Sequence, residues 1–116
     1  MMRKPNTDQT GRNFSPEIIA IVWKKATIVS DYDPNKIRKD TCGAWIQFDK
    51  HGETMDEGLG WEIDHIMPVA KGGDDLISNL QPLQWQNNRA KGDKFPASNY
   101  CVTKVRFSYS GSIAGG

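Results

Sequence analysis

An acid and an imidazole side by side, Asp64-His65, with a second acid, Glu62, two residues upstream, are the residues whose types and spacing invite chemistry. A carboxylate oxygen is a hard ligand suited to magnesium or manganese, and a neutral imidazole is a base matched to neutral pH. The run Trp61-Glu62-Ile63-Asp64-His65-Ile66 alternates like a strand with two unlike faces, placing Glu62 and Asp64 on one side and Ile63 and His65 on the other. The neighbouring side chains therefore diverge. That suits a reaction in which a cation and an attacking water lie on opposite sides of one phosphorus atom. As a lone dipeptide the pair is more often a surface feature with no task. Glu62 reads either as an orienting residue or as a solvent-facing strand acid. Arg89, Lys91 and Lys94, with Lys71 in a glycine loop, are candidate phosphate contacts, a solvated helix end being the alternative for the first three.

These residues need elements to hold them. Pro68 limits the strand that carries Asp64 and His65, Lys71-Gly72-Gly73-Asp74-Asp75 reads as a loop, and Asn79-Leu80-Gln81-Pro82-Leu83 as a short second strand. Gln84 to Lys91 has good helix formers and stops at Gly92, a suitable residue just past a helix end. The order is strand, loop, strand, helix. Upstream, Ser15 is a good N-cap, Pro16 suits the first helical position and Glu17 the first turn, so a helix with a broad apolar surface is expected from Pro16, Lys24 and Lys25 lying at its end. Ala44 to Phe48 has strand character and is closed by the turn residues Asp49 to Gly52; a polar loop, Glu53 to Gly60, follows. Phe95-Pro96 ends the second helix region, and Tyr100 to Tyr109 has enough Val, Thr, Phe and Tyr for one more strand. His51 reads as a turn residue. The expected organisation is a flexible arm over 1–13, one domain over 14–107 and a flexible tail over 108–116.

A chain of 116 residues houses one core, not two. Charge is uneven along it. Net charge is +3 over residues 1–41, −6 over 42–80 and +4 over 81–116. An acidic middle between basic ends is what a cation site flanked by phosphate-binding surfaces looks like, and it is equally compatible with solvated faces. The longest apolar run, Ile18 to Trp23, is far below the roughly 20 residues that span a bilayer, and no apolar leader opens the sequence, so the default compartment is the cytoplasm. Cys42 and Cys101 are too few for a disulfide scaffold or a four-thiolate zinc site, and reduced, partly buried thiols are expected.

The set Asp64-His65, Gly72-Gly73, Asn79-Leu80, Asn88 and Lys91-Gly92, in the run Trp61 to Lys94 with Thr41-Cys42-Gly43 as its approach, resembles the HNH endonuclease family. The resemblance implies a two-stranded hairpin and a helix gripping one metal ion. His65 would be the general base and Asp64 a metal ligand. Asn79, otherwise an Asx-turn or helix-entry residue, would hold the loop and orient His65. Asn88, otherwise a solvated helix residue, would complete the metal site through its amide oxygen. Many relatives carry two pairs of cysteines on a structural zinc. Here Cys42 keeps one position while Lys39, Gln84 and Asn87 stand at the others, so no structural zinc is expected and its stabilising work passes to packing, with Trp45, Trp61, Trp85 and the helix from Pro16 as candidates.

The expectation is an α+β fold: a small ββα-metal core with an N-terminal buttressing helix and a C-terminal strand. The activity implied is hydrolysis of DNA phosphodiester bonds, double-stranded DNA foremost, to 5′-phosphate and 3′-hydroxyl ends. One magnesium or manganese ion would serve, with nickel or zinc able to substitute in vitro. The chain shows no base-reading module, so sequence specificity would have to come from a larger protein partner or a dimer. The competing reading is an HNH-like module that binds DNA or a protein without cutting. A phosphodiesterase acting on RNA or small nucleotides is a third.

Overall fold

The computed structural model describes residues 3–55 and 58–105. Helix α1 (Pro16–Trp23) begins as its sequence directs, the Ser15 hydroxyl accepting the Ile18 N–H at 3.2 Å and Pro16 filling the first helical position. Two small antiparallel sheets follow. In the first, β1 (Ile37–Lys39) pairs with β2 (Trp45–Gln47), Arg38 opposite Ile46. In the second, β3 (Trp61–His65) pairs with β4 (Leu80–Gln84), Asp64 opposite Gln81. Helix α2 (Trp85–Lys91) leaves β4 directly, and the Gln84 side chain caps it by accepting the Gln86 and Asn87 N–H groups at 2.8 and 3.3 Å. The result is a small α+β fold in which β3, β4 and α2 follow in the expected hairpin-and-helix order.

Phe14, Val22, Trp23, Ala26, Ile46, Trp61, Ile63 and Leu80 form the core. It lies between α1 and the β3–β4 sheet, with the Trp23 and Trp61 rings 5.4 Å apart. Lys25, just beyond α1, donates to the carbonyls of Ile77 and Leu80, tying the helix end to the start of β4. No helix among the described residues is long and apolar enough to cross a membrane.

Several expectations give way here. Strand β1 was not legible, since Ile-Arg-Lys shows no alternation; its pairing with β2 and with Thr27 creates it. The strand expected over 100–109 is absent from residues 100–105, and the remainder lies outside the described residues, as does the expected tail. The reason is competition for hydrogen bonds. The Asn87 side-chain oxygen takes the N–H groups of Val102 and Thr103, at 2.9 and 3.0 Å, that a strand partner would need. Residues 3–13 do not behave as a loose arm. Asn6 Oδ1 accepts the Ile63 N–H of β3 at 2.8 Å, Gln9 bonds Asp75, and Thr7 is buried.

The cysteines are joined as a Cys42–Cys101 disulfide, not reduced. Beside it Asp40, 3% exposed, fills each carboxylate oxygen twice: Oδ1 accepts Cys42 N–H and Ala44 N–H at 2.9 and 2.8 Å, Oδ2 accepts Gln84 N–H and Asn87 Nδ2–H at 2.9 and 3.1 Å. Gln84 and Asn87 are two of the positions at which the resemblance drawn from the sequence would place zinc-binding cysteines. The stabilising work expected of aromatic packing therefore rests in large part on a polar knot and a covalent bridge. Trp61 is wholly buried in the core, whereas Trp45 and Trp85 are only half-buried.

Two outcomes follow from these contacts. Asp40→Ala strands four donors around a dry pocket. It should cost about 3 kcal/mol or more in denaturant unfolding, each orphaned buried donor costing roughly 1–3 kcal/mol before relaxation. His51, whose ring meets Trp61 at 4.8 Å and donates from Nε2 to Asn6 Oδ1 at 3.0 Å, has its pKa pushed down by burial, with a weaker opposing pull from Glu62. The unfolded chain then takes up the proton more readily. This contribution to stability is complete above about pH 6.5, the unfolded value, and is lost as pH falls through it toward the folded value. Comparing wild type with His51→Gln across that window, the wild type should lose more stability on acidification.

Candidate active site

The hairpin connection between β3 and β4 is built to present its first residues. Gly72 turns with φ 94°, and a Cβ on Gly73 would lie 1.7 Å from the Met67 carbonyl oxygen, so the Gly72-Gly73 pair is a geometric requirement. Asn79 staples the connection. Its Oδ1 accepts Met67 N–H at 2.8 Å and its Nδ2 donates to the carbonyls of Met67 and Asp74 at 3.1 and 2.9 Å. Asn79 thus holds the loop beyond His65, but the contact to the imidazole comes from another residue, Asp75, whose Oδ1 lies 2.7 Å from His65 Nε2. Phe14 packs against the other side of the ring region, its centroid 5.9 Å away.

The alternation of β3 sends Glu62 and Asp64 toward α2. Asp64, 6% exposed, accepts Gln81 Nε2–H at 2.9 Å and lies 3.2 Å from Lys91 Nζ, which also donates to the His65 carbonyl at 3.0 Å. Burial raises the Asp64 pKa above the usual carboxylate value, and the bonds from Gln81 and Lys91 pull the other way, keeping the anion tenable. Lys91 is 2% exposed. It is therefore not the surface phosphate contact that its place at a helix end suggested; a cation so deeply buried is retained because an anion waits for it.

Glu62 is likewise not a solvent-facing acid. At 2% exposure it accepts Asn88 Nδ2–H at 2.8 Å and takes a two-point contact from Arg89, Nε to Oε1 at 3.0 Å and Nη2 to Oε2 at 2.8 Å. The Arg89 guanidinium is held protonated by that carboxylate. Because a carboxylate only accepts, the Asn88 amide must turn its nitrogen to Glu62, which leaves Oδ1 as its free acceptor. Glu62 so sets the orientation of Asn88.

A cleft of about 220 Å³ opens here, lined by Asp64, His65, Asn88, Arg89, Arg3 and Asp93 among others. Three of the residues singled out for chemistry, Asp64, His65 and Asn88, therefore meet on one surface. Arg89 reaches it half-exposed; Lys71 and Lys94 are exposed but do not line it. Arg3 adds a cation that its position in an aperiodic leader gave no reason to expect.

Residues 54–97 match the family model described as HNH endonuclease. This segment belongs to the HNH endonuclease family. No curated protein and no solved structure gives a significant match. The HNH segment contains β3, β4, α2 and every residue of the hairpin connection. Members typically use one divalent metal ion.

The residues at the HNH cleft fit such an ion by the chemistry of their donors. Asp64 and Asn88 offer hard oxygens on facing elements, and no group of three or more His, Cys, Asp or Glu side chains able to hold a metal gathers among the described residues. Two protein oxygens suit a cation that keeps much of its water, as magnesium does, better than a soft, fully protein-caged one.

The Asp64–Lys91 pair supplies a test. Lys91→Met leaves a buried anion unpaired, a loss of about 3–5 kcal/mol at neutral pH for such pairs. The Asp64 pKa should rise further, so the deficit should shrink as acidification protonates the carboxyl, seen in unfolding curves for both proteins from neutral to acid pH.

Proposed function

We propose that this chain is a metal-dependent endonuclease that hydrolyses DNA phosphodiester bonds with little sequence preference of its own. The observation that carries this reading is the convergence of the Asp64 carboxylate, the Asn88 amide and the His65 imidazole on one cleft inside the HNH segment.

In this reading Asp64 and Asn88 hold one magnesium or manganese ion. When bound, the ion supplies Lewis-acid stabilisation of charge on the phosphate and on the leaving 3′ oxygen. His65 accepts a proton from the water that attacks phosphorus; the bond from phosphorus to the 3′ oxygen breaks, leaving 5′-phosphate and 3′-hydroxyl ends. Lys91 and Gln81 keep Asp64 ionised and aimed, Glu62 does the same for the Asn88 amide, and Asn79 keeps the loop after His65 in place. Arg3 and Arg89 at the cleft, with the exposed Lys71 and Lys94 farther out, are the cations available to phosphates of the bound strand. Such contacts carry affinity without reading bases.

The alternative is a module of this fold that grips DNA without cutting. A module freed from chemistry has no physical need for a base beside two candidate metal ligands. Supercoiled plasmid incubated with the protein and magnesium or manganese should become nicked or linear, and chelator should stop the conversion. His65→Ala should slow it about 10²–10⁴-fold. Plasmid that stays supercoiled in every lane sinks the nuclease reading, and DNA retarded in the gel yet uncut favours the module.

A further inference from the structure

Asp75 has a position that no reading of the motif assigns. It lies in the connection between β3 and β4, ten residues after His65, and its carboxylate serves two parts of the chain at once. Oδ1 takes the His65 ring at 2.7 Å, while Oδ1 and Oδ2 accept the Gln9 N–H at 3.0 and 3.2 Å. The Asp75 N–H in turn donates to Gln9 Oε1 at 3.2 Å. Gln9 therefore grips the same carboxylate that faces the imidazole, and Asn6 fixes the strand two residues before His65 by accepting the Ile63 N–H.

This arrangement decides which ring nitrogen carries the proton. An ionised carboxylate can only accept, so the nitrogen facing Asp75 must be protonated, and in a neutral ring the proton then sits on Nε2. Nδ1 is left with its lone pair. It has no hydrogen-bond partner among the described residues; the side chain is only 2% exposed, but no fully buried polar side-chain atom there goes without a partner, so Nδ1 keeps a narrow opening rather than being sealed. His65 lines the cleft.

We propose that Asp75, held by Gln9, is a positioning residue that fixes His65 in the Nε2-protonated tautomer and so presents Nδ1 as the base. The proposal rests on the reading of His65 as general base. It makes residues 3–13 part of the catalytic apparatus. It also explains why Asp75, its carboxylate one-third exposed in a loop that Asn79 already secures, is held to the distant Gln9 through both its carboxylate and its backbone N–H.

The test uses the full chain as wild type, Asp75→Ala and Asp75→Asn, with two readouts. Nitrogen NMR of the His65 ring, at a pH high enough that it carries one proton, should find that proton on Nε2 in the wild type and spread over both nitrogens in Asp75→Ala. Asp75→Asn, whose amide can turn its nitrogen to the ring and donate to Nε2, lifts the acceptor-only constraint and should let the Nδ1-protonated tautomer appear. In plasmid cleavage Asp75→Ala and Asp75→Asn should each lose about 10- to 100-fold in kcat with KM within about twofold. A wild-type ring protonated on Nδ1, a tautomer unchanged in Asp75→Ala, or an unchanged kcat in that variant overturns the proposal. Should no protein cut DNA at all, the nuclease reading fails by itself, and the ring spectra alone decide whether Asp75 sets the tautomer.

Discussion

The buried carboxylate of Asp40 is the point at which three stretches of chain are held together. Its two oxygens take donors from the turn between β1 and β2, from the end of β4 and from α2. The same α2 residue, Asn87, then captures residues 102 and 103, and the Cys42–Cys101 bridge closes the circle. A structural metal would accomplish similar work by collecting ligands from separate segments. Here a single anion does so through hydrogen bonds. Such a carboxylate tolerates burial only because every lone pair it presents is matched, and its loss would leave donors from all three segments without partners.

That knot fixes the start of α2 against β4, and the ion pairs between β3 and α2 fix the rest. Glu62 with Arg89 and Asp64 with Lys91 both join β3 to α2, the two carboxylates lying two residues apart and so on one face of the strand. Asn88 immediately precedes Arg89 in sequence and inherits its orientation from Glu62. The cations that position the site and those facing the cleft therefore overlap only at Arg89. Lys91 is consumed internally, whereas Arg89 is shared between Glu62 and the cleft.

The imidazole receives its orientation from the opposite direction. Residues 3–13 reach across to β3 and to the hairpin connection, so His65 is braced by Asp75 and Phe14, while Asp64 is braced by Lys91 and Gln81. The two side chains diverge, as neighbours on a strand must, and each has its own supporting shell.

Much of this was legible before any coordinates. The strand around Asp64, the hairpin with its paired glycines, the helix ending at Gly92 and the cap at Ser15 all follow from local rules, because alternation, capping and left-handed turns are properties of a few consecutive residues. The candidate residues Asp64, His65, Asn79 and Asn88 were legible for a related reason, their types recurring at motif spacing. What the sequence could not tell is which polar residues would be buried. Lys91, Glu62 and Asp40 look like surface charges in one dimension, and only the meeting of distant segments shows that each has a partner inside. Strand β1, the docking of Asn6 and Gln9, the bridge between Cys42 and Cys101 and the role of Asn87 in denying residues 102 and 103 a strand are of the same kind. Each depends on contacts between residues far apart in the chain. The sequence alone determined the pair Asp64-His65 and the hairpin that carries it; the tertiary structure decided what orients that pair, because burial and hydrogen-bond partnership are set by which segments meet.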